Sequence, residues 1–110
     1  MNNAMKEITN KIDSFINDES ITKDQRASYI VGSTIMRDDY DDIILIDPEI
    51  ESFAELALSF EACAPGRILT PDEDYTPPGC DKNTPDDIYL EKYFEDIVSR
   101  FEQIKKKYNC

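Results

Sequence analysis

The sequence predicts an all-α fold: a compact antiparallel four-helix bundle with a long Pro/Asp-rich loop before its last helix. Three observations carry this. Apolar residues recur at three- and four-residue steps in four separate segments. Helix-start chemistry, a cap residue followed by proline or by a glutamine three positions on, precedes three of them at Thr22, Asp47 and Thr84. The one run that could be a strand has no second run to pair with. At 110 residues the chain is a single domain, and its mostly short early connections suit neighbouring helices that run antiparallel.

The first helix is expected over residues 4–17, where Met5, Ile8, Ile12, Phe15 and Ile16 make one apolar stripe. Asn17-Asp18-Glu19-Ser20 breaks it. Thr22 and Gln25 have capping-box spacing and open a second helix over 22–37, with Ala27, Ile30, Val31 and Met36 as its stripe. Gly32 and the β-branched Ile30, Val31, Thr34 and Ile35 are poor helix formers within it. Ile43-Ile44-Leu45-Ile46 fits a short strand or a buried helical turn, and four apolar residues do not arbitrate. A turn of helix or an apolar connector is preferred, because a lone strand would lack a partner.

Asp47-Pro48 starts a third helix, 48–64, that places Ile50, Phe53, Ala54, Ala57 and Phe60 on one face. Pro65-Gly66 stops it. The loop 65–84 holds four of the six prolines and is long for a connector in so small a domain. Thr84-Pro85 then opens a final helix to residue 108, with Asp86-Asp87 at its positive end and Lys105-Lys106-Lys107 at its negative end. Leu90, Phe94, Ile97, Phe101, Ile104 and Tyr108 alternate by four and three along it, over about 36 Å of helix. The expected core is Ile8, Ile12, Phe15, Ile30, Phe53, Ala57, Phe60, Leu90, Phe94, Ile97 and Phe101. Tyr89 and Tyr93 suit either a packing flank or an exposed aromatic pair.

Composition excludes much chemistry. The chain has no histidine, which removes histidine-activated nucleophiles and most zinc sites. Three glycines cannot build a phosphate cradle. Three cysteines make no disulfide framework: Cys63 reads as core, Cys80 as a thiol dulled by neighbouring acids, and Cys110 as inert. No apolar run is long enough to span a membrane, and the first residues carry no secretory pattern, so a cytoplasmic protein is expected. No catalysis, cofactor or metal is expected. The acids match no EF-hand loop, and carboxylate pairs arise by chance among 24 acids in a chain too short for a sugar cleft.

The charge is unevenly placed. Net charge is -12, yet residues 1–37 balance five acids with five bases, and residues 92–110 carry three acids and five bases. Residues 38–91 hold sixteen acids against Arg67 and Lys82, and no base occurs from Asp38 to Gly66. Two clusters pair carboxylates with a tyrosine: Asp38-Asp39-Tyr40-Asp41-Asp42 and Asp72-Glu73-Asp74-Tyr75. Carboxylates accept bidentate bonds from arginine, and tyrosine is an efficient anchor at interfaces. These nine residues form the expected partner-binding surface, with a solvated, solubilising face as the plain alternative. So acidic a chain disfavours direct binding to nucleic acid or an anionic membrane and favours a basic protein partner. A monomer is expected before it binds.

FAELALSFEACAPG (residues 53–66), the loop to Thr84, and PDDIYLEKYFEDIVSRFEQI (85–104) together resemble the colicin D type of small acidic immunity protein. Such proteins protect bacteria from their own colicins and contact-dependent toxins. IDSFINDESIT (12–22) is compatible with the same type, and the likeness covers about half of the chain. The long loop and the IILI segment depart from it. The nuclease-colicin immunity bundles offer a looser analogy, whose signature tyrosine pair is not present as such. The resemblance implies an acidic, nucleic-acid-like surface seated on the basic active site of a cognate nuclease toxin, a tRNA-cleaving ribonuclease for the colicin D type. The rival readings are a DNA-mimic inhibitor of a host nucleic-acid enzyme and an acidic helical adaptor with no inhibitory role.

Overall fold

The computed structural model describes residues 3–63, 76–81 and 83–108. These form five helices and no strand: α1 (Asn3–Asp13), α2 (Lys23–Ser33), α3 (Tyr40–Ile46), α4 (Glu49–Cys63) and α5 (Asp86–Tyr108). The expected four-helix count is corrected by α3, which contains the ambiguous Ile43–Ile46 run. The segment is helical because it has no strand partner and because Ile43 alone needs to be buried against α4. The radius of gyration is 13.9 Å, close to the ~13 Å of a compact domain this size.

Helix α4 lies between α2 and α5. Its buried Ile50, Phe53, Ala54, Ala57 and Phe60 make the centre of the core. Phe53 stacks at a tilt on Phe101, with ring centroids 5.7 Å apart, and Phe60 meets Tyr93 and Phe94 edge-on at 5.4 and 5.5 Å. Such aromatic pairs add to the stabilisation from buried area. Helix α1 packs on α2 and α5 through Met5, Ile8 and Ile12, and α3 packs on α4.

Helix boundaries differ from the expected ones where tertiary contacts intervene. α1 ends at Asp13, and a turn over 14–17 swings Phe15 to the edge, where it meets Tyr29 edge-on at 5.5 Å. Ile16 takes the buried place instead. α2 stops at Ser33, four residues short. Thr34 leaves the helical region (φ -128°, ψ -85°), its amide donates to the Val31 carbonyl, and its hydroxyl donates back to the Ile30 carbonyl at 2.7 Å. That hydroxyl competition and the β-branched run explain the early stop. Leu90 is only half-buried, one step off the α5 stripe that Tyr93 fills, and Tyr89 and Tyr93 form a packing flank at 5.9 Å.

The Thr22–Gln25 capping box forms in both directions. Arg26 is buried on α2. Its guanidinium donates to the Ile16 carbonyl at 3.1 Å and lies 5.1 Å over the Phe94 ring, joining the end of α1 to α5. In the described part of the long loop, the Cys80 amide donates to the Pro77 carbonyl. Gly79 sits at φ 85°, with Pro78 before it, in the pattern of a type II turn. Cys63 ends α4, and its side chain, like Cys110, lies outside the described residues.

Candidate partner-binding surface

Asp38, Asp39, Tyr40, Asp41 and Asp42 sit together at the start of α3, but in different environments. Asp38, Asp41 and Asp42 are exposed, the last two in the first turn of α3, where the helix dipole favours them. Asp39 is held by Arg37 through two bonds of 2.8 and 3.1 Å, and Arg37 also reaches Glu7 at 3.5 Å. The Arg37 hydrogen bond keeps the Asp39 carboxyl below its ordinary range, and the same bond raises Arg37. Asp39 is thus already neutralised, and three acids of this cluster face water.

Tyr40 is half-buried, turned toward α4. Its hydroxyl is cut off from solvent and has no hydrogen-bond partner. Burial first, then the charges of Glu55, Glu51 and Asp41, push its phenol up to about 12. Glu49, Glu51 and Glu55 are all exposed on α4; Glu49 is paired with Lys107 at 3.1 Å, while Glu51 and Glu55 join Asp38, Asp41 and Asp42 as exposed acids of the stretch that holds no base in sequence. The second cluster, Asp72, Glu73, Asp74 and Tyr75, lies outside the described residues.

Three features escaped sequence reasoning. A groove of about 580 Å³ lies beside Tyr40 and is lined also by Ile35, Ser52, Glu55, Leu56, Leu58, Ser59 and Arg100. Apolar side chains stand in water around α3, with Leu45 82% and Met36 72% exposed beside the half-exposed Ile46. The third is Asp47, expected only as a helix cap. It caps α4 by accepting from the Glu49 amide at 3.1 Å, but it is also 4% exposed and bound to the end of α5. Lys107 reaches both its oxygens at 3.3 Å and the Tyr108 hydroxyl donates to it at 2.7 Å. Capping was readable from Asp-Pro; the partners 60 and 61 residues away were not.

Among the described residues no three acidic or thiol side chains converge as metal ligands, and no helix is long and apolar enough to cross a membrane. No family model matches the chain, and neither a curated protein nor a solved structure shows significant similarity to it.

Proposed function

We propose that this chain is an immunity-type inhibitor that neutralises a cognate nuclease toxin, a ribonuclease of the tRNA-cleaving kind, in the cytoplasm of the cell that makes it. The four long helices act as an up-and-down bundle that carries α3 and the acidic face of α4 at its side. The observation that carries the reading is the absence of any base from Asp38 to Gly66, while Asp38, Asp41, Asp42, Glu49, Glu51 and Glu55 are exposed there. A nuclease lines its cleft with Lys and Arg to hold phosphates. A rigid acidic face is steered onto such a cleft and excludes the substrate.

The test is charge reversal. Asp41/Asp42→Lys and, separately, Asp72/Asp74→Lys are measured for binding to the cognate nuclease domain, across a range of salt. At least one pair is expected to weaken binding by about 2–5 kcal/mol and flatten the salt dependence. Lys6/Lys11→Glu, on charge-balanced α1, is expected to leave binding unchanged. Neutral acidic pairs with a damaging control would reduce the acidic face to a solubilising one.

The exposed Leu45 and Met36 favour one second reading, an adaptor that docks through apolar area. Its binding would be insensitive to salt and sensitive to Leu45→Ser, the opposite of the inhibitor's pattern.

A further inference from the structure

The lining of the groove beside Tyr40 is mixed: apolar Ile35, Leu56 and Leu58 stand with the aromatic Tyr40, the anionic Glu55, the hydroxyls of Ser52 and Ser59, and Arg100. Glu51 and Asp41 are close enough to bear on the same phenol. Among the described residues the cation in the lining, Arg100, is engaged by Asp96 at 3.4 Å. No ion pair forms at Glu55 among the described residues.

Ligand chemistry follows from these walls. A carboxylate or phosphate would meet Glu55 in the lining, where Arg100 is already engaged by Asp96, and be repelled. A purely aliphatic side chain would strip water from Glu55 and return nothing to it. A second copy of this chain carries the same net charge of -12 and would be repelled as a whole. A lysine could meet Glu55, but its compact ammonium holds water strongly and stacks poorly. A guanidinium is flat, weakly hydrated and able to stack on a phenol while it forks onto a carboxylate, and its three-carbon stem lies well on apolar residues.

We propose that this groove receives one arginine side chain of a basic partner protein, its stem along Ile35, Leu56 and Leu58, its guanidinium on the Tyr40 ring and paired with Glu55. The inference rests on reading the base-free face as the partner-binding surface, and it holds whether or not that partner is a toxin.

The test follows the amide NMR spectrum of the full chain during titration with the blocked tripeptide Ac-Ala-Arg-Ala-NH2 and with its lysine and citrulline analogues. Arginine is expected to give saturable shifts centred on Tyr40, Glu55 and Leu58, with lysine weaker by about threefold or more and citrulline silent. Glu55→Gln, at an exposed position that leaves the fold intact, is expected to weaken arginine by about tenfold. Equal responses to arginine and lysine spread over Asp38, Asp41, Asp42 and Glu49 would show diffuse charge attraction and overturn the proposal. No saturable response would overturn it equally. The inhibitor reading is judged apart from this, by whether the chain protects against its cognate nuclease: protection without arginine preference sinks the groove alone, and arginine preference without protection sinks the inhibitor alone.

Discussion

Asp47 joins two helix ends with one carboxylate. It accepts from the Glu49 amide, the Lys107 ammonium and the Tyr108 hydroxyl, and Lys107 extends to Glu49 at 3.1 Å. Removing it takes the acceptor from the Tyr108 hydroxyl, leaves Lys107 with Glu49 alone and uncaps α4. Asp47→Ala is therefore expected to cost about 3 kcal/mol in urea unfolding, and Tyr108→Phe about 1–2 kcal/mol. The exposed pair Lys92–Glu95 at 3.5 Å should contribute almost nothing by comparison. The same residues set an alkaline limit. Burial, then the Asp47 hydrogen bond, pushes Tyr108 up to about 12, and burial with three nearby carboxylates does the same to Tyr40. A phenol whose native pKa lies above its unfolded value of 10.0 favours the native state fully below that value, and this advantage is lost as the pH climbs to about 12. Melting temperature should accordingly fall across that interval, and the double variant Tyr40/Tyr108→Phe should flatten part of the fall. An unchanged alkaline arm in that variant would place the loss on other groups.

Helix α5 gives the sharpest contrast between neighbouring positions. Phe94 is buried against Phe60 and under Arg26, whereas Leu90, one turn earlier, is half-buried. Phe94→Ala should cost about 3–5 kcal/mol and Leu90→Ala about 1 kcal/mol, measured by equilibrium unfolding. Comparable losses would mean that α5 is rotated about its axis. The existence of α1, α2, α4 and α5 was legible because each spreads its signal over many residues, and the caps at Thr22 and Asp47 are local chemistry. The ends of α1 and α2 were not. Phe15 and Ile16 are equally apolar, and which one goes inside depends on the turn after Asp13 and on Tyr29, neither of which periodicity encodes. α3 was ambiguous because its apolar run, Ile43 to Ile46, is unbroken, showing neither the alternation of a strand nor a full helical repeat, and nothing in the composition of Leu45 announces that it stands in water.

At the scale of the whole molecule the controlling fact is a net charge of -12 on a domain with a radius of gyration of 13.9 Å. Self-repulsion destabilises the compact state and salt screens it. Raising ionic strength from low values to about 0.15 M should raise the melting temperature by roughly 5 °C, equivalent to about 1 kcal/mol of relieved repulsion. A fall would mean that the Asp13–Lys105 and Asp47–Lys107 attractions outweigh the repulsion. Charge placement was legible because it is a count along the chain. The groove and the neutralisation of Asp39 were hidden because they depend on how Arg37 and α4 turn in space. The bond between Asp47 and the end of α5 has a further consequence, in time. Its partners lie 60 and 61 residues apart in the chain, so a large loop must close before the buried carboxylate finds its cation. Local helices and the α4–α5 aromatic contacts can assemble without it. A contact made after the folding barrier slows escape from the native state and leaves the speed of arrival unchanged. Asp47, on that account, acts as the clasp that sets how long the folded molecule lasts.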